Sequence, residues 1–153
     1  MDLRKLLKSE YIFLDFEISS KKRLFEKIGL VSEESLGIPR VKVFDALLKR
    51  EQLGSTGLGH GVALPHGKLE QLKEFFGLFF RLKNSIAFDS PDNEPVNLVF
   101  CLLCPENSKQ SAHLSNLGNI ASFFSERGQR SKLLICPDND SIFKLITNWE
   151  GNG

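Results

Sequence analysis

The chain has 153 residues, 41% of them hydrophobic and 25% charged, and a formal net charge of +1 at pH 7. That length suits one domain with a single substantial core, and the composition is that of an ordinary soluble globular protein. A charge near zero without a basic run argues against nucleic acid or an anionic membrane surface as partner, and no apolar run is long enough to span a bilayer.

Met1-Asp2-Leu3-Arg4-Lys5 opens the chain without the apolar stretch of a secretory leader, so a cytoplasmic location is expected. Asp2 to Leu7 reads as a short helix and Tyr11 to Leu14 as a first strand. Ser19 or Ser20 can cap a helix running through Leu24, Phe25 and Ile28, and Gly37-Ile38-Pro39 breaks it. A second amphipathic helix carries Val41, Phe44, Leu47 and Leu48 toward the core and ends near Glu51, with Arg50 on its last turn. Val62-Ala63-Leu64 is a short strand with His66 at its C-terminal end.

Phe75 to Leu82 is apolar enough for a strand covered on both faces. Asn84 to Phe88 is a strand or a turn, and Val96 to Cys104 a central strand. Ser108 to Glu126 reads as a helix with Leu114, Leu117, Ala121 and Phe124 as its apolar stripe, and His113 in its first turns. Leu133-Leu134-Ile135 fits strand or helix equally. Asp138 to Asp140 cap a final helix through Ile142, Leu145 and Ile146, with Trp149 near its end. Strands interleaved with helices, some covered on both faces, give an α/β domain. No internal repeat, low-complexity tract or linker divides it.

The three cysteines are an odd number, which disfavours a closed disulfide framework. Cys101 and Cys104 have the C-x-x-C spacing of redox and zinc motifs. On a strand, however, residues three apart point to opposite faces, so the two sulfurs should not converge. They are read as small core hydrophobes.

The segment from Arg50 to Lys68 concentrates the chemistry. Gly54, Gly57, Gly59, Gly61 and Gly67 let backbone approach a ligand, and freed N–H groups can line an anion-binding concavity. Ser55 and Thr56 either donate hydroxyls to a bound phosphoryl or shape the turn. Arg50 and Lys68 supply positive charge, and His66 stands between Pro65 and Gly67. A doubly charged oxyanion fits this set, and the imidazole points to transfer of the phosphoryl rather than mere binding. A Walker loop fails: from Gly54 the second glycine falls at Gly59, but His60 and Gly61 follow instead of Lys and a hydroxyl residue. The Rossmann fingerprint fails too, because Gly57, Gly59 and Gly61 give G-x-G-x-G.

The whole pattern, R-E-x-x-G-S-T-G-x-G-x-G-x-A-L-P-H-G-K, resembles the active-site signature of the fructose/mannitol-type IIA domains of the bacterial phosphotransferase system, and most of all their nitrogen-regulatory branch. Ile86-Ala87-Phe88-Asp89-Ser90-Pro91-Asp92, Pro95 to Phe100 and Ala112 to Leu117 extend the resemblance to about Leu3 through Ile146. It implies one domain over residues 1–153, with a mixed β-sheet flanked by helices on both faces. It implies His66 as phosphoryl acceptor and His113 as the second active-site histidine, hydrogen-bonding the phosphoryl or orienting His66, while the planar fork of Arg50 would contact phosphoryl oxygens or steer the partner. Gly57, Gly59, Gly61 and Gly67 would shape the pocket.

His60 departs from the branch, which tends to carry asparagine there. It is either a third polar group near the phosphoryl or, preferably, a solvent-facing loop residue. No cofactor and no metal is expected, since the three histidines lack zinc spacing. The expected role is a phosphohistidine carrier within a phosphotransferase system, rather than a stand-alone turnover enzyme. It would take phosphoryl from an HPr-type phosphocarrier protein and act on regulatory targets such as potassium transport proteins or sensor kinases. The alternative is a free-standing sugar-transport IIA component that passes phosphoryl to a IIB cysteine. With Gly153 as the last residue, no fused IIB or membrane IIC segment is expected.

Overall fold

The two long apolar segments of the sequence form the antiparallel centre of one sheet. The computed structural model describes residues 3–151, and in it the strands are β1 (Ile12–Phe16), β2 (Gly57–Gly59), β3 (Val62–Ala63), β4 (His66–Leu69), β5 (Phe76–Ile86) and β6 (Val96–Pro105). Their order is β1-β5-β6-β3-β2, and β4 continues beside β6 where β3 stops. β5 runs antiparallel to β6, while β1 is parallel to β5, and β3 and β4 are parallel to β6. The sheet is therefore mixed, as expected. The segment around Asn84 is the tail of β5, reaching Ile86 opposite Val96.

Period-two alternation splits the central strands between two cores. Leu78, Phe80, Val99, Cys101 and Leu103 pack with α1 (Lys21–Leu36) and α2 (Arg40–Gln52). Phe79, Leu98, Phe100, Leu102 and Cys104 pack with α3 (Gln110–Ser125), α4 (Arg127–Ile135) and α5 (Asn139–Thr147). Helices thus cover both faces. Cys101 and Cys104 lie in opposite cores, which rules out a bond or shared metal between them. Both thiols are pushed up by burial, Cys104 to about 12, so neither is a reactive thiolate.

Local chemistry sets the helix ends. Ser20 caps α1 by accepting the Arg23 N–H at 3.1 Å, and Gly37 ends it in the left-handed conformation at φ 72°. Pro39 fixes the entry of α2, whose first N–H at Arg40 donates to the Glu33 carboxylate at 2.8 Å. Asp138 and Ser141 form a capping box on α5. The ambiguous Leu133 to Ile135 stretch closes a helix. Only Leu133 is buried there, and Arg81 reaches up from β5 to donate to the Leu133 and Cys136 carbonyls at 2.9 and 2.7 Å.

Two apolar stripes differ from expectation. Val41 is 56% exposed, because the buried face of α2 runs Val43, Leu47, Glu51 at steps of four. A carboxylate at the third position disguised that stripe. Leu114 is 58% exposed, and the buried face of α3 instead begins at His113 and continues through Ile120, Phe123 and Phe124. In both helices a polar residue of the site stands in a core position. Asp2, the first residue of the expected N-terminal helix, lies outside the described residues; the rest forms a single 3-10 turn at Leu3–Lys5.

Candidate functional site

Pro65 breaks the edge of the sheet. It has no N–H, and the ladder on β6 stops at Ala63 and resumes at His66, opposite Leu102. His66 therefore opens β4 rather than ending the preceding strand, as the sequence reading had it. Alternation along β4 turns Gly67 toward α2 and leaves His66 and Lys68 on the α3 side. Gly67 permits a close approach: a Cβ there would press on the backbone and Cβ of Ala46 at about 3.1 Å. That close approach brings the last turn of α2, and with it Arg50, beside His66.

The imidazole of His66 is half-buried and held at both nitrogens. Nδ1 lies 2.9 Å from the Leu64 carbonyl oxygen, which can only accept, so Nδ1 carries the proton. Nε2 is then left with its lone pair, and it accepts from Arg50 Nε at 3.2 Å. The same guanidinium donates from Nη1 to the Gly54 carbonyl at 2.8 Å, which fixes its plane. His113 comes from the first turns of α3, its ring centroid 5.8 Å from that of His66. His113 is 7% exposed and its Nδ1 has no hydrogen-bond partner among the described residues. His66, Arg50 and His113, distant in sequence, thus converge.

Both rings favour the neutral form. Burial holds His66 below the usual histidine value, opposed by its bond to Leu64 and reinforced by the Arg50 charge. Burial, then the charge of Lys68, does the same to His113. The unfolded chain binds these protons at a reference value of about 6.5, above the folded values. The stabilisation is therefore complete above that pH and is lost as pH falls through the folded values. Urea midpoints should decline from pH 7.5 to pH 5, and the decline should shrink in a double His66→Phe, His113→Phe variant. An undiminished decline would place its origin elsewhere.

The hydroxyls lie in the frame of the loop. Ser55 Oγ donates to the Phe88 carbonyl at 2.6 Å, and Thr56 Oγ1 donates to Glu51 Oε2 at 2.6 Å. Of the two roles open to them, shaping the turn is the one these bonds serve. Gly59, His60 and Gly61 form a left-handed turn at φ 88°, 56° and 78°. That conformation also accounts for the residue at 60, since asparagine and histidine are among the few side-chain types enriched there. His60 is exposed, and its N–H donates to Asp92 Oδ2 at 2.9 Å. Gly57 abuts Ser90, so it too shapes the loop. Among the described residues no group of three or more His, Cys, Asp or Glu could hold a metal ion, and no helix is long and apolar enough to cross a membrane.

Sequence reasoning passed over Glu51. It is 9% exposed, and its carboxylate accepts from Lys21 Nζ at 2.9 Å and the Thr56 N–H at 3.0 Å as well as the Thr56 hydroxyl. It ties the start of α1, the end of α2 and the glycine loop into one block beneath Arg50. The signal was available in the four-residue spacing from Val43 and Leu47. Glu51→Ala strands the buried Thr56 N–H and hydroxyl, leaves Lys21 with Asp89 alone, and should cost about 2–4 kcal/mol of unfolding free energy. A urea-denaturation change under about 0.5 kcal/mol, the scale of an exposed pair, would show that the block does not depend on it.

Comparison with known proteins adds to this geometry. The family model described as "Phosphoenolpyruvate-dependent sugar phosphotransferase system, EIIA 2" matches residues 5–149. A nitrogen regulatory protein of Bradyrhizobium diazoefficiens is 38% identical over 146 residues, covering 95% of both chains. The crystal structure of nitrogen regulatory protein IIA-Ntr from Neisseria meningitidis superposes with a TM-score of 0.88 at 42% identity, covering 93% of this chain and 97% of that one. A fructose-specific EIIABC component of Bacillus subtilis is 27% identical over 151 residues, which are 24% of its length.

Proposed function

The chain belongs to the EIIA 2 family of the phosphoenolpyruvate-dependent sugar phosphotransferase system, and from that premise we propose that it is a phosphoryl-carrier regulator with Nε2 of His66 as acceptor. The observation that carries this reading is the fixed tautomer: Nδ1–H on the Leu64 carbonyl, and the Nε2 lone pair facing a guanidinium. The donor is an HPr-type protein bearing a phosphohistidine. All 153 residues are taken to act as one such domain.

The step balances without a cofactor. The Nε2 lone pair forms a bond to phosphorus as the P–N bond of the donor breaks and its electron pair returns to the donor ring. The donor ring, protonated at its other nitrogen, leaves as neutral imidazole. His66 becomes a phosphoryl-imidazolium that keeps its Nδ1 proton, and the Leu64 carbonyl stabilises the charge that develops there. Bond formed and bond broken are of one kind, so the transfer is reversible and the protein's task is orientation and charge stabilisation. As phosphorus approaches Nε2, the Arg50 guanidinium moves from the nitrogen to the equatorial oxygens. His113, neutral, supplies a hydrogen-bonding nitrogen on the other side.

Regulation is the reading favoured over sugar transport. The nitrogen regulatory relatives match along nearly their whole length, whereas the fructose-specific EIIABC component is less similar. Phosphorylation adds nearly two negative charges. Leu53, which follows the Arg50 helix end, Leu58 on β2, and Leu114, which follows His113, are 82%, 41% and 58% exposed. A charge placed among exposed leucines can block or create docking of a target protein. The test is to load the chain from phosphoenolpyruvate, enzyme I and an HPr-type protein, then add fructose- and mannitol-type IIB components with their sugars. Retention of phosphoryl without sugar phosphate is the expected result, and stoichiometric loss to a IIB cysteine would establish the transport role instead.

A further inference from the structure

Unlike Arg50, Lys68, the second positive charge of the signature, has no partner in the site among the described residues. It lies two residues after His66 on β4, on the same face, one step of about 6.5–7 Å along the strand. The strand is short and keeps an unbroken register against β6, where His66 stands opposite Leu102 and Lys68 opposite Cys104. A lysine stem extends about as far as that step, so the ammonium can reach back over the ring. Lys68 is exposed and makes no hydrogen bond or ion pair with a described residue. The other lysine near the loop, Lys21, is tied to Glu51 and Asp89. The charge of Lys68 is nevertheless felt inside the site, since it acts on His113 across the gap to α3 and on Cys104 beside it.

The charge balance of the pocket makes this placement meaningful. A transferred phosphoryl group brings nearly two negative charges. Among the described residues Arg50 is the only cation bonded to His66. His113 is held toward its neutral form, so it adds a hydrogen bond and no full charge. The one carboxylate acting on His66, that of Glu51, is already compensated by Lys21 and Thr56. A second positive charge would balance the group, and Lys68 is the cation that shares the His66 face of β4 and carries no hydrogen bond or ion pair to a described residue.

We propose that Lys68 is a phosphoryl-binding residue: its ammonium folds back along β4 onto the phosphoryl oxygens on His66, opposite Arg50, and stabilises the phosphorylated state. This rests on His66 being the acceptor. The ammonium stays solvated in the unloaded protein and is recruited by the charge that arrives. Lys68 thereby sets how strongly the carrier holds its phosphoryl, and so the fraction loaded at a given state of the donor.

The test measures the equilibrium between phosphorylated HPr-type donor and this chain, with forward and reverse rates, for the parent, Lys68→Met and Lys68→Arg. Methionine keeps the stem and removes the charge. The expected result is a loaded-to-unloaded ratio lowered roughly fivefold in Lys68→Met, the scale of one partly solvated charge contact. Lys68→Arg should restore it, and unfolding curves should be unchanged in both. If Lys68 serves only to steer the donor, forward and reverse rates fall together in Lys68→Met and the ratio stays that of the parent, which overturns the proposal while leaving His66 as acceptor. If the parent itself takes no phosphoryl on His66, both readings fall.

Discussion

His66→Ala should abolish phosphoryl acceptance while leaving the protein folded. After incubation with phosphoenolpyruvate, enzyme I and an HPr-type protein, intact mass should show an acid-labile phosphoryl on the parent and none on the variant. His113, the other imidazole of the pocket, is 7% exposed and less open to a docking donor than His66. Cys101 and Cys104 are buried thiols held protonated, and His60 stands exposed on a left-handed turn beside the Asp92 carboxylate, a charge of the wrong sign for a phosphoryl group. The fold should tolerate the change, because the ring is half-buried at the sheet edge and its partners are a main-chain carbonyl and a solvent-accessible guanidinium. A stability loss within about 1 kcal/mol is expected from the lost hydrogen bonds. Residual acid-labile modification of the variant at the parent's level would overturn the assignment of the acceptor.

Arg50→Ala should slow transfer about 100-fold without moving the site of modification. The guanidinium is the one cation already bonded to the reacting nitrogen, and removing a preorganised charge donor from a transfer site typically costs two to three orders of magnitude, about 3–4 kcal/mol. Lysine should restore only part of the rate. Arg50 spans two acceptors at once, His66 Nε2 and the Gly54 carbonyl, through a rigid fork that a single ammonium cannot reproduce. Rapid-quench rates for parent, Arg50→Ala and Arg50→Lys decide the matter. Equal rates in all three would mean that Arg50 does no more than close the glycine loop.

Much of this was legible in the residues, for reasons that differ by element. The family was readable from the signature between Arg50 and Lys68, and the fold brings Arg50 beside His66 as that signature suggested. The central strands were readable because both faces are covered and the apolar run is unbroken. What stayed hidden was where a polar group occupies a core position. Glu51 completes the buried stripe of α2 and His113 begins that of α3, so the period pointed to Val41 and Leu114, which face solvent. Asp92 lay inside the resembling segment, but its role toward the glycine loop was not legible there. Its carboxylate accepts from the Glu94 N–H in a local turn and from the His60 N–H, and the second bond exists only after the chain has folded back from β5. The division of the edge strand at Pro65 depends on β6 as a neighbour, and pairing partners are not written in local sequence.

The most direct measurement is the nitrogen-to-phosphorus coupling in the isotopically labelled, phosphorylated protein. The Leu64 carbonyl fixes the proton on Nδ1, so the coupling should appear at Nε2 of His66, with Nδ1 still protonated. A phosphoryl on Nδ1 of His66, or on the ring of His113 or His60, would contradict the tautomer argument on which the proposed site rests.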